Sequence, residues 1–176
     1  PFRRQWGILA VTALSLAAQV TVPIGRVPMT LQTLAVLLAA SSASGQGEEG
    51  ESRYSVRFDV RIVPTERLAK VSIRVGRGAS QVRWLRFAID PMRHFGFRGD
   101  GRIEVGEGSV LWEPPPEGGR LRYSFWIDHL RNSSSYDARC AENWALFRGD
   151  DLVPPVRVRS RVGAHAVSTL RLRVPD

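Results

Sequence analysis

From Tyr54 to Ile62 apolar and polar residues alternate without a break. Tyr54, Val56, Phe58, Val60 and Ile62 fall on one side of an extended chain, and Ser55, Arg57, Asp59 and Arg61 on the other. A two-residue period puts successive side chains on opposite faces, so the stretch is a half-buried strand with one dry face and one charged face. A helix is excluded, because about 3.6 residues per turn would scatter the same apolar residues around its axis. The pattern recurs after Pro64 in Val71, Ile73 and Val75, close enough to form an antiparallel hairpin with the first strand. It recurs again over Arg120 to Leu130, where Leu121, Tyr123, Phe125 and Ile127 alternate with Arg122, Ser124, Trp126 and Asp128.

Shorter pieces of the same kind fill the rest. Ile103 with Val105, Val110 with Trp112, Val156 with Val158, and Leu170 with Leu172 and Val174 each predict a strand. Over Gln81 to Ile89 the parity slips: Val82 and Trp84 share one face, and Leu85, Phe87 and Ile89 the other, which means a bulge or a strand buried on both sides. Gly99-Asp100-Gly101, Gly106-Glu107-Gly108 and Pro114 to Gly119 punctuate the chain as turns, and Arg131 to Arg139 reads as a polar loop. Helix is expected in the N-terminal apolar segment and over Ala141 to Phe147. The fold class is therefore all-β, an antiparallel β-sandwich of about eight strands preceded by an N-terminal apolar helical segment or hairpin.

That segment runs from Trp6 to Ala40 without a carboxylate, in two apolar blocks, Gly7 to Val22 and Leu31 to Ala40. Pro23-Ile24-Gly25-Arg26-Val27-Pro28 between them forbids one continuous helix. Neither block reaches the ~20 apolar residues of a comfortable membrane span. Two readings stay open. In one, Leu31 to Ala40 is the apolar core of an export signal, with Ser41-Ser42-Ala43 as the small residues of its cleavage site. In the other, the two blocks form a membrane hairpin. Ser41 to Arg53 is small, polar and acidic, a linker composition. The expected organisation is a signal or anchor over residues 1–43, a flexible linker over 44–53, and a sandwich domain over 54–176. The protein is expected to be exported, periplasmic or membrane-anchored, touching the membrane through residues 6–40.

Motifs for chemistry are sparse. The chain has no His-Glu-x-x-His, no phosphate-binding glycine loop followed by lysine and no Gly-x-Ser-x-Gly. His94, His129 and His165 lie in separate segments, and Cys140 is alone, so a multi-cysteine zinc site and an internal disulfide are excluded. Glu48-Glu49 and Asp150-Asp151 are adjacent carboxylates that would point apart on a strand, and Asn132-Ser133-Ser134 matches the short glycosylation pattern. The expectation is no catalytic residue, no metal ligand and no cofactor. The formal charge is +8, and the first 44 residues hold three arginines and no acid, leaving 22 basic against 17 acidic residues. Lys70 is the only lysine. The arginines are spread along strands without a cluster beside stacking aromatics, so nucleic acid is not an expected partner. Trp126 faces away from Tyr123, Phe125 and Ile127, and with its neighbours Arg122 and Asp128 it forms the candidate contact surface.

Two stretches resemble known families. Ala18-Gln19-Val20-Thr21-Val22-Pro23, with Val27-Pro28-Met29-Thr30-Leu31-Gln32-Thr33-Leu34 and the apolar residues after it, resembles the opening of the BioY biotin transporter substrate-binding family. That resemblance implies a biotin-capturing membrane subunit, and it covers about a fifth of the chain; no later apolar block has membrane length. Glu142-Asn143-Trp144-Ala145-Leu146-Phe147 with Pro154-Pro155, then Gly163 to Asp176 ending in Val174-Pro175-Asp176, resembles the end of the N-terminal β-domain of glycyl-aminopeptidase-like metallopeptidases. This implies a non-catalytic domain whose partner is a downstream zinc-binding peptidase domain or another protein, and none of that family's catalytic residues maps onto this chain. A free-standing ligand-binding module is the third reading.

Overall fold

A computed structural model describes residues 6–9, 19–23, 52–132 and 135–173. Fourteen strands are found among them. The alternating stretches behave as their residues dictate. Strand β3 (Arg53–Val63) buries Tyr54, Val56, Phe58, Val60 and Ile62, and β4 (Leu68–Val75) pairs with it antiparallel, setting Phe58 opposite Ile73 and Val60 opposite Val71. Strand β9 (Gly119–Trp126) continues the sheet, so that Leu121, Tyr123 and Phe125 extend the same dry face. Strand β6 (His94–Gly99) closes one edge and β14 (His165–Arg173) the other. The β14–β3 pairing is parallel, from His165 beside Arg53 to Arg173 beside Arg61.

A second five-stranded sheet runs β1 (Trp6–Leu9), β13 (Val156–Arg161), β5 (Val82–Ala88), β8 (Ser109–Glu113) and β7 (Arg102–Val105). Its inner residues Leu85, Phe87, Val110, Trp112 and Val158 join the buried residues of the first sheet in one core cluster. A four-stranded sheet of β10 (His129–Asn132), β11 (Ser135–Cys140), β12 (Trp144–Arg148) and β2 (Gln19–Pro23) adds Ala138, Cys140, Ala145 and Phe147 to that cluster. The architecture is the expected all-β sandwich.

The chain passes between sheets at Gly99-Asp100-Gly101. The Asp100 carbonyl accepts the Trp112 indole N–H at 2.7 Å, and its carboxylate accepts the Arg120 backbone N–H at 2.9 Å. Gly101 has φ 81°, and a Cβ there would lie 2.1 Å from the Glu113 carbonyl oxygen, so only glycine makes this turn.

Several expectations are corrected. The two described stretches of the N-terminal apolar segment are strands and not helix: Trp6–Leu9 pairs with β13 and Gln19–Pro23 with β12, both antiparallel. Short apolar runs read equally as helix or strand, and the unpaired backbone groups of the β13 and β12 edges select the extended form. The signal and hairpin readings of Leu31 to Ala43 lie outside the described residues. No helix among the described residues is long and apolar enough to cross a membrane. The polar loop over Arg131 to Arg139 is instead largely the β10–β11 hairpin, and Ala141 to Phe147 contains β12, with a single helical turn, α1 (Gly149–Leu152), following it. The parity slip in β5 is a bulge: Trp84 faces Arg159 and Val82 faces Ser160, leaving Arg83 as the extra residue.

Candidate functional site

The outer face of the first sheet carries two of the three candidate contact residues. Arg122 and Trp126 both lie on the solvent side of β9, four residues apart, or ~13 Å at strand rise. Trp126 is 43 % exposed and stacks on Phe95 of β6, with ring centroids 5.3 Å apart and planes 27° from parallel. Asp128 lies off this face. Its carboxylate accepts the Cys140 backbone N–H at 2.6 Å and meets the Arg67 guanidinium at 3.4 Å, so it ties β11 to the β3–β4 turn. The structure thus unites Trp126 with Arg122 and gives Asp128 a structural part.

Strand register then assembles what the linear order of the arginines hides. Arg57, Arg74 and Arg120 stand side by side on β3, β4 and β9. In the next row Arg171 and Asp59 on β14 and β3 are followed by Ser72, Arg122 and Arg98. In the third, Arg173, Arg61 and Lys70 lead to Ser124 and Phe95, with Trp126 one step beyond on β9. Nine basic side chains therefore share these three rows with one carboxylate, Asp59. Lys70 pairs with Glu66 at 3.1 Å, whereas none of the eight arginines of these rows forms an ion pair among the described residues. The other sheet is mixed on its outer side: Arg157, Arg86, Leu111 and Glu104 form one row, and Arg102 pairs with Glu104.

Beneath Trp126 lies a cluster of polar groups that sequence reasoning did not single out. Arg93 is buried at 7 % exposure, with its guanidinium carbon 4.5 Å from the centroid of the Phe125 ring. It donates to the carbonyls of Trp126 at 3.3 Å and Ile127 at 3.2 Å, and to the Asp151 carboxylate at 3.0 Å. Three planar donors thus fix the end of β9 and its tryptophan to α1. The His94 Nε2–H donates to the Asp151 carbonyl at 2.7 Å, and Nδ1 stands 3.2 Å from the Asp90 backbone nitrogen and 3.1 Å from the Asp90 carbonyl oxygen, so backbone groups engage both ring nitrogens. Burial pushes the His94 pKa down, aided by the like charge of Arg93 and opposed by its bonds to Asp151 and Asp90. The Tyr123 hydroxyl donates to the Leu152 carbonyl at 2.9 Å, and burial drives its pKa far up.

His129, Cys140 and Arg148 are engaged nearby, whereas His165 is exposed at the start of β14. His129 and Asp137 are 2.6 Å apart; burial pushes the Asp137 carboxyl up, but the His129 hydrogen bond and charge more than offset that and hold it low. Burial, helped by Asp128, pushes the Cys140 thiol up and away from the thiolate that a nucleophile requires. Arg148 chelates Asp150 at 3.1 and 2.8 Å. No group of three or more His, Cys, Asp or Glu among the described residues is placed to hold a metal ion.

No family model matches the chain, and no curated protein matches it by sequence. Among solved structures, the chain is similar to an aminopeptidase N family protein from Idiomarina loihiensis, with a TM-score of 0.49 and 12 % identity over 68 % of this chain. It spans 22 % of that protein's length. It is also similar to the seventh ScaB type I cohesin from Pseudobacteroides cellulosolvens, with a TM-score of 0.30 and 9 % identity, over 70 % of this chain and 94 % of the cohesin. Neither is a biotin transporter subunit.

Proposed function

We propose that the chain is an exported, non-catalytic β-sandwich module that stands on the N-terminal side of a zinc metallopeptidase domain and serves as its contact or positioning domain. The observation that carries this reading is the commitment of His94, His129 and Cys140 to the fold. Both ring nitrogens of His94 are used by backbone groups of α1 and the Asp90 turn, His129 is used by Asp137, and burial holds Cys140 in its thiol form. Side chains so occupied are positioned as fasteners and not as acids, bases or nucleophiles. The resemblance of residues 142–155 and 163–176 to the close of a peptidase N-terminal domain supplies the partner in this reading.

The test has two arms. The purified chain with added zinc should release no p-nitroaniline from glycine or alanine p-nitroanilide, and an in-frame His-Glu-x-x-His should follow Asp176 in the coding sequence. Turnover abolished by a chelator would overturn the non-catalytic reading. A downstream sequence lacking any zinc-ligand motif would remove the peptidase partner.

A further inference from the structure

We propose that the outer face of the β14-β3-β4-β9-β6 sheet docks flat against an anionic phospholipid bilayer, with Trp126 entering the headgroup layer at one end. The inference is independent of the peptidase reading. Four inter-strand spacings make this face ~19 Å wide, and two-residue steps separate its rows by ~7 Å. Its three rows thus form a broad basic face of eight arginines with Lys70, against Asp59 and the Glu66 that pairs with Lys70. The arginines of those rows carry no partner within the described chain, so their charge is available to an external anion.

The shape selects among polyanions. A single-stranded nucleic acid is held by aromatic platforms interleaved with the basic groups, so that successive bases stack. Here the aromatic pair, Phe95 and Trp126, sits together at one end, and the rows between Arg57 and Arg122 contain no aromatic residue. A duplex presents its phosphates on a cylinder, which a broad sheet face meets along a narrow strip. A bilayer presents charge as a plane, attracts each nearby basic residue and favours tryptophan at the headgroup level. The opposite sheet lacks this arrangement, because Glu104 and Glu113 stand among its arginines, and Arg86 lies over the Trp84 ring at 5.7 Å.

The experiment is co-sedimentation of the whole chain with vesicles of equimolar phosphatidylserine and phosphatidylcholine, and with vesicles of phosphatidylcholine alone. Binding is expected to the first only, and to weaken steadily as salt is raised. The variant Arg74→Gln/Arg122→Gln should bind about twenty-five-fold more weakly, at about five-fold per arginine removed from the surface field. The variant Arg86→Gln/Arg157→Gln removes the same charge from the opposite sheet and should bind as the wild type does. Equal losses from the two pairs, binding that ignores salt, or no binding to the anionic vesicles would each overturn the proposal. So would tighter binding to oligothymidylate than to the vesicles, an outcome that assigns the face to nucleic acid. Should the Arg74→Gln/Arg122→Gln variant fail to fold, the wild-type salt series and the comparison of the two vesicle compositions still decide.

Discussion

The Arg93 guanidinium meets the Asp151 carboxylate at 3.0 Å across 58 residues of chain, with Phe125 as the floor beneath the cation. Asp151 keeps 31 % of its side chain exposed, so losing its charged partner costs less than in a fully buried pair, ~1.5–3 kcal/mol. Arg93→Ala should cost that much in urea unfolding, because the Trp126 and Ile127 carbonyls also lose their donors. Arg93→Lys should not restore it, since one ammonium cannot reach three diverging acceptors. A loss below about 1 kcal/mol for Arg93→Ala would show that these contacts do not hold the end of β9.

Core and surface should separate cleanly along β9. Phe125 is fully buried, and Phe125→Ala should cost ~3–5 kcal/mol. Arg122, exposed beside it, should tolerate alanine within ~0.5 kcal/mol. Trp126→Ala removes a half-open ring stacked on Phe95 and should cost ~0.5–1.5 kcal/mol. Equal losses for Trp126→Ala and Phe125→Ala in chemical unfolding would mean that the strand is buried on both faces.

Acid should weaken the fold through His94. Its folded pKa lies below the ordinary 6.5, chiefly through burial, so the unfolded chain takes up the proton first as pH falls. Above that value the ring is neutral in both states and contributes no slope. Below it stability declines until the depressed folded pKa is passed, so stability rises with pH across the window. His94→Gln should flatten this part of the curve measured by thermal unfolding at successive pH values. An unchanged slope would place the acid sensitivity elsewhere.

Export can be tested separately from folding. Arginine in the apolar core of a signal opposes insertion by ~2.5–3.5 kcal/mol, so Val36→Arg should leave the chain unprocessed in the cytoplasm. Undiminished appearance of this variant outside the cytoplasm would contradict the signal reading of Leu31 to Ala43.

The sandwich was legible wherever one strand face is dry and the other wet. Tyr54 to Ile62 and Leu121 to Ile127 announce themselves because each apolar residue meets the core and each intervening residue meets water. β6 is silent in the sequence because its bulge at Gly96 and Phe97 breaks the two-residue period, and Phe97 turns inward to stack on Tyr123. Over Tyr136 to Cys140 β11 buries Ala138 and Cys140, too little apolar surface to stand out from a loop. Trp144 to Arg148 is a short apolar run whose strand character depends on its neighbours. The basic face escaped for a related reason. Arg57, Arg74 and Arg120 are distant in sequence, and only strand register makes them adjacent.

The parallel pairing of β14 with β3 has a mechanical meaning. Because both strands run the same way, tension drawn between Ser52 and Arg173 acts along their length and loads the whole register from His165 to Arg173 in shear. An antiparallel edge gripped at neighbouring ends would unzip one bond after another. A pull transmitted through a segment following β14 therefore meets its greatest resistance at the first clasp of the sandwich, before the core is disturbed.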